Sequence, residues 1–180
     1  AGLAIGSICA CMGPGRDFRG SEADQKAAMD YCVALIDQAA VMGCPRLIGP
    51  VYSVVGKADA VEPAQQKIEW ALVVKNLKVL AKHAEAKGIT ICIEPLNRFE
   101  CYFLNTMEQA TELTRRVNEP NYGYLYDTFH FNIEENSITD VIPATIGPYV
   151  ADAIGPRQAR RYFLSAERID AATAERIGLV

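Results

Sequence analysis

Residues 91–100 read ICIEPLNRFE. Ile89-Thr90-Ile91-Cys92-Ile93 is a short apolar, β-branched run between Gly88 and Pro95, the pattern of a buried strand. Glu94 stands at its C-terminal tip, and Asn97, Arg98 and Glu100 follow at once. Charged groups at the mouth of an apolar strand lose solvation unless a metal, a substrate or one another pairs with them. On this stretch alone a solvated strand end with a surface ion pair reads equally well.

A second stretch repeats the pattern. Tyr122-Gly123-Tyr124-Leu125-Tyr126 leads into Asp127-Thr128-Phe129-His130, then Phe131-Asn132-Ile133-Glu134-Glu135. Again a short apolar run ends in a carboxylate, here with a histidine three residues on. One helix-length segment separates the two. The result is a β-α-β unit with acidic groups on the same end of two parallel strands, the end that carries function in α/β barrels and open α/β sheets.

EPLNRFE followed by DTFHFNIEE at this spacing resembles the ketose 3-epimerases, the D-tagatose and D-psicose 3-epimerases, which belong to the xylose isomerase-like TIM barrels. The resemblance covers roughly residues 1–138. It implies a partial TIM barrel, α/β in class, of about four parallel βα units. It implies that Glu94 is both a metal ligand and an acid/base, and that Asp127 is a metal ligand. His130 and Glu100 would contact the sugar, and Asn97, in the loop that carries Glu100, is a further candidate substrate-binding residue. A 3-epimerase removes and returns a proton next to a ketone, and a divalent cation on the carbonyl makes that proton acidic enough to take. Hard oxygen ligands suit Mn²⁺ or Mg²⁺. Two residues of the family pattern, a His and a Glu on the seventh and eighth strands, have no match here. Residues 139–180 hold no His, and only Glu167 and Glu175 as glutamates. A weak metal site and impaired turnover are the expectation.

Composition narrows the remaining classes. The chain has 180 residues, half of them hydrophobic, with a net charge of −4. That length suits one packed domain, and that charge gives no reason to expect nucleic acid or an anionic membrane as partner. No apolar run approaches a membrane span. The six cysteines, at 9, 11, 32, 44, 92 and 101, include no CxxC pair. They read as small hydrophobes in a reducing compartment, so a cytoplasmic setting is expected. Cys9 and Cys11 would share one strand face, where a thiolate metal site is the alternative.

Taken in order, Gly2 to Cys11 reads as a strand and Met12 to Gly20 as a loop on the functional end. Ser21 and Asp24 form a capping box. The helix they open carries Met29, Cys32, Val33, Ile36 and Ala40 at helical spacing and stops at Gly43. Arg46 to Pro50 is the next strand, and Val51 to Val61 a long loop. Pro63 stands at a first helical position, and its helix runs to about Lys87 with Leu77, Leu80, Ala81 and Ala84 inward. Asn105 or Thr106 caps a third helix through Leu113 and Val117. Asn118-Glu119-Pro120-Asn121 turns the chain into a strand that runs to Asp127, followed by a loop that Glu134 and Glu135 close by capping the next helix. Phe99, Tyr102 and Phe131 lie on the functional end as candidate pocket aromatics, with Trp70 farther off.

The tail is different. From Ile142 to Val150, and through AIGPRQARRYFLSAERIDAATAERIGLV, it resembles a C-terminal segment of the enoyl-CoA hydratases of the crotonase superfamily. That segment carries neither the oxyanion-hole amides nor the catalytic glutamates of that family. Pro143 and the Gly155-Pro156 step cut it into short helices, and Asp170 caps the last, stopped by Gly178. Arg157, Arg160 and Arg161 form a basic cluster, either a solvated helix face or a phosphate site. Two parts are therefore expected: residues 1–138 as a sugar isomerase-like partial barrel, and 139–180 as a helical tail, the two joined as in a chimera. Three functions stand beside one another: a metal-dependent ketose 3-epimerase acting on a small-molecule sugar, an inactive fusion with a structural or binding role, and a CoA-thioester hydratase remnant. A homo-oligomer is expected, because a half-barrel leaves open sheet edges.

Overall fold

A computed structural model describes residues 4–135, 153–159, 161–162 and 170–179 of the chain. The chain divides into two compact units, Ala1–Glu134 and Glu135–Val180. In the first, four strands form one sheet in the order β1-β2-β3-β4: β1 (Ile8–Cys9), β2 (Arg46–Gly49), β3 (Thr90–Ile93) and β4 (Tyr122–Tyr124). Every pairing is parallel. Three helices make the crossovers: α1 (Glu22–Val41), α2 (Pro63–Ala86) and α3 (Met107–Val117). A parallel pair needs such a crossover, because a tight turn cannot reverse the chain far enough. The fold is thus the parallel α/β arrangement that the alternating pattern predicts, and it is consistent with the partial barrel that the resemblance implies.

Register sorts the side chains onto two faces. Leu47, Ile91 and Tyr122 are partners across three strands and are buried. They pack with Cys32 and Ile36 of α1, Val73, Leu77 and Leu80 of α2, and Leu113 of α3. Fully burying a side chain of the size of Leu or Ile stabilises the fold by about 1.5–3 kcal/mol, so this layer fixes the sheet against the helices. The alternate positions, Ile48, Cys92 and Gly123, are only half-buried. Glu94 continues the row of Cys92, because side chains alternate with period two.

The helix boundaries follow local chemistry. Ser21 accepts the Asp24 N–H while the Asp24 carboxylate takes the Ser21 N–H, a complete capping box. Pro63 occupies the first turn of α2. Thr106, with Gln109, caps α3 in the same reciprocal way. The inward stripe of α2 is as expected, but that of α1 is Ala28, Cys32, Ile36 and Ala39, with Ala40 exposed.

Three expectations need correction. The first strand is two residues long, not the whole run from Gly2 to Cys11; residues 1–3 lie outside the described residues. β4 ends at Tyr124, three residues before Asp127. The stretch after Asp127 is a helix, α4 (Thr128–Glu134), not a loop. In the second unit, residues 153–159 are helical, as is Ala171–Ile177, which Asp170 caps and Gly178 ends in a left-handed turn. The remaining tail segments expected to be helical lie outside the described residues.

Candidate functional site

Glu94 is held at the end of β3 by its own backbone. Its N–H donates to the Gly49 carbonyl at 2.9 Å. Its carbonyl accepts the hydroxyl of Tyr52 at 2.9 Å, from a side chain that is fully buried. Gly49 has φ +107°, and a Cβ there would stand 2.6 Å from the Ala10 carbonyl oxygen. Only glycine permits that approach of β1 to β2. Neither Tyr52 nor Gly49 was marked by the motif, because each serves Glu94 through its backbone.

The loop after β3 closes on itself. Leu96 N–H donates to the Leu104 carbonyl at 3.0 Å, and Asn105 Nδ2 donates to the carbonyls of Leu96 and Cys101 at 2.6 and 2.7 Å. This turn presents Asn97, which is 2% exposed. Its Oδ1 accepts the Phe99 N–H at 3.0 Å, which orients the amide so that Nδ2 donates to Glu100 Oε1 at 2.8 Å. Nδ2 also lies 3.0 Å from His130 Nδ1, and the Asn97 backbone N–H donates to that same nitrogen at 3.0 Å.

Asp127 stands before α4 and uses its two oxygens differently. Oδ1 accepts the Phe129 N–H at 2.8 Å, as a helix N-cap does. Oδ2 lies 3.8 Å from His130 Nε2, and Glu94 Oε1 lies 3.9 Å from the same nitrogen. Those separations are too long for hydrogen bonds. Ligand-capable atoms of Glu94, Asp127 and His130 all lie within 4.8 Å of one another, the one such group of three or more among the described residues.

Electrostatics mark this as a strained cluster of charge. The Glu94 carboxyl is pushed up to about 7, first by burial, then by the hydrogen bond and charge of Asp127, then by Glu100. Carboxylates gathered in this way favour either a shared proton or a cation, and the oxygen donors match a hard divalent ion. The imidazole fits that ion less well. Its Nδ1 accepts a backbone N–H, a donor that cannot reverse its role, so the ring proton sits on Nε2, the nitrogen facing the carboxylates. A neutral ring in that tautomer donates from Nε2 and has no lone pair there for a metal.

All five residues singled out from the sequence, Glu94, Asn97, Glu100, Asp127 and His130, therefore meet at one strand end. The aromatic candidates divide. Phe99 stands exposed in the loop, and Phe129, not one of those candidates, is exposed and meets the His130 ring edge-on at 5.1 Å. Phe131 is buried and stacks on Tyr126 at 4.5 Å. Trp70 packs on Phe103 and lies under the Arg116 guanidinium, and Tyr102 donates to Glu69 at 2.7 Å; both serve packing. Cys9 and Cys11 are both exposed, on either side of buried Ala10. Burial and then the charge of Glu94 push the Cys9 thiol up, which disfavours a thiolate. Glu134 is not a cap. Its carboxylate binds Arg98 across the site's rim.

Comparison with known proteins agrees with this fold. The D-psicose 3-epimerase of Ruminiclostridium cellulolyticum is 38% identical over 104 residues, covering 58% of this chain and 35% of that protein. The D-psicose 3-epimerase of Agrobacterium fabrum is 39% identical over 90 residues, 50% of this chain and 31% of that one. The chain thus spans about a third of the length of these curated relatives. The crystal structure of D-psicose 3-epimerase with D-tagatose from Clostridium cellulolyticum H10 superposes with a TM-score of 0.73 and 28% identity, over 82% of this chain and 50% of that one. A solved L-ribulose 3-epimerase shares the fold over 97% of this chain, with a TM-score of 0.74 and 21% identity. Residues 1–169 match the family described as the xylose isomerase-like TIM barrel, a match that runs across the join expected near residue 139. The chain belongs to the xylose isomerase-like TIM barrel family, and the ketose 3-epimerases are among its homologues.

Proposed function

We propose that this chain carries the Glu94–Asp127 half of a divalent-metal site of ketose 3-epimerase type and acts on a small ketose. The observation that supports this best is the convergence of Glu94, Asp127 and His130 at one strand end. Glu94 and Asp127 would hold Mn²⁺ or Mg²⁺, which when bound polarises the substrate carbonyl and acidifies the neighbouring C–H.

The chain's own residues supply the rest. Glu94 takes the proton from the carbon next to the carbonyl and returns it. His130 donates from Nε2 to a sugar oxygen. Asn97 holds that ring through Nδ1 and holds Glu100 through Nδ2, so Glu100 is oriented to accept from a sugar hydroxyl. Epimerisation needs proton delivery to the opposite face of the same carbon. Among the described residues no further His, Cys, Asp or Glu joins the Glu94 cluster. The isolated chain is therefore slow, because one of two acid/base partners contributes about 10²–10⁴ in rate.

The test is deuterium exchange at C3 of a ketohexose in D₂O with added Mn²⁺. Slow exchange that Glu94→Gln abolishes supports the assignment. Exchange that survives Glu94→Gln contradicts it. An inactive fusion with a structural or binding role would show no exchange at all.

A further inference from the structure

Glu134, the last residue of α4, has a role that the site chemistry leaves unused. Its side chain is 5% exposed. It accepts the backbone N–H of Arg98 at 2.6 Å and the guanidinium through Nε at 3.0 Å and Nη2 at 3.1 Å. His130 lies four residues earlier, one turn back on the same helix face. Two side chains one turn apart thus take two consecutive backbone N–H groups of the turn after β3: His130 takes that of Asn97 and Glu134 that of Arg98.

The guanidinium half of this contact is weak, because the Arg98 side chain is 61% exposed and exposed ion pairs contribute little. The backbone half is different. A buried carboxylate on a main-chain N–H is charge-assisted and immobilises no long partner side chain. It also acts where α4 needs support. A helix of seven residues does not hold itself together in water. Asp127 secures its first turn, and Glu134 its last.

We propose that Glu134 is a positioning residue: by holding the Arg98 N–H it seats α4 on the Asn97–Arg98 turn, so that His130 Nδ1 receives the Asn97 N–H and the ring proton stays on Nε2. The proposal rests on the reading of His130 as a donor to the sugar, but its test needs neither sugar nor metal, so the two fail separately. The full chain, ¹⁵N-labelled and metal-free at about pH 8, is examined for the scalar coupling across the N–H···N bond from Asn97 to His130 Nδ1. Wild type shows the coupling and a single tautomer. Glu134→Asp, one methylene short of the Arg98 N–H, and Glu134→Ala lose the coupling and show mixed tautomers, while the amide signals of Leu47 and Ile91 stay in place. Glu134→Gln keeps the coupling, because its amide oxygen still accepts the Arg98 N–H. Arg98→Ala keeps it too, because the N–H remains. Should Glu134→Ala fail to fold, the contrast of Asp with Gln decides. Coupling that persists in Glu134→Asp, or that Glu134→Gln loses as fully as Glu134→Asp does, overturns the proposal; so does its absence from wild type.

Discussion

Asn97 gives His130 Nδ1 two donors, its backbone N–H and its side-chain Nδ2, each at 3.0 Å. The side-chain donor is itself oriented, since Oδ1 is occupied by the Phe99 N–H. That double donation separates His130 from the carboxylates it faces: they offer lone pairs and it offers a proton. His130→Gln should therefore leave Mn²⁺ affinity little changed while it lowers C3 exchange. A loss of affinity equal to that of Asp127→Asn would make the ring a ligand instead.

Glu94 makes the fold pH-sensitive in a definite direction. Its folded-state pKa lies above its ordinary value, so the folded chain binds more protons than the unfolded one between about 4.5 and about 7. Stability attributable to this group is present at low pH and is lost as pH rises through that window. Glu94→Gln removes the dependence. Without metal it should be more stable than wild type at about pH 8, by on the order of 1–2 kcal/mol once solvent screening at a half-buried group is allowed for. At about pH 4 the gain should vanish. Urea unfolding at the two pH values measures the difference.

Gly49 joins strand geometry to the site. A Cβ at this position meets the Ala10 carbonyl at 2.6 Å, at a φ of +107°. Gly49→Ala should cost about 1–3 kcal/mol from backbone strain alone. It should also displace the carbonyl that holds the Glu94 N–H, and so weaken metal binding. Thermal unfolding with and without Mn²⁺ reads both effects. An unchanged melting temperature would contradict this account of the turn.

β1 and β4 each have a strand partner on one side among the described residues, and the row Ile48, Cys92 and Gly123 is only half-buried. Open edges and a half-covered sheet face are commonly closed by pairing. The chain should self-associate, and light scattering across a concentration series should show mass rising above the monomer. A constant monomer mass would show that the chain covers these surfaces by itself.

Much of this was legible in the sequence, for local reasons. Ser21 with Asp24, Pro63, and Thr106 with Gln109 announce helix starts because the capping chemistry is contiguous in sequence. Glu94 and Asp127 could be placed together because parallel strands one crossover apart end on the same side. What stayed hidden depends on partners distant in sequence. α4 is short and holds two phenylalanines, so it carries no helical stripe; it is fixed by Asn97 and Arg98, some thirty-odd residues away. The i, i+4 spacing of His130 and Glu134 is the signal that could have shown it. The apolar run before Cys11 forms a strand of only two residues, because β1 has one strand neighbour among the described residues to set its length.

Glu94 and Asp127 should together hold one divalent cation. Mn²⁺ titration followed by electron paramagnetic resonance tests it most directly. One site per chain is expected, with affinity about tenfold higher at pH 8 than at pH 6, because the ion displaces a proton from a carboxyl poised at about 7. Glu94→Gln and Asp127→Asn should each weaken binding by about 10–100-fold or more, since even second-sphere losses reach that range. Mn²⁺ affinity that is flat with pH and unmoved by either substitution would contradict it.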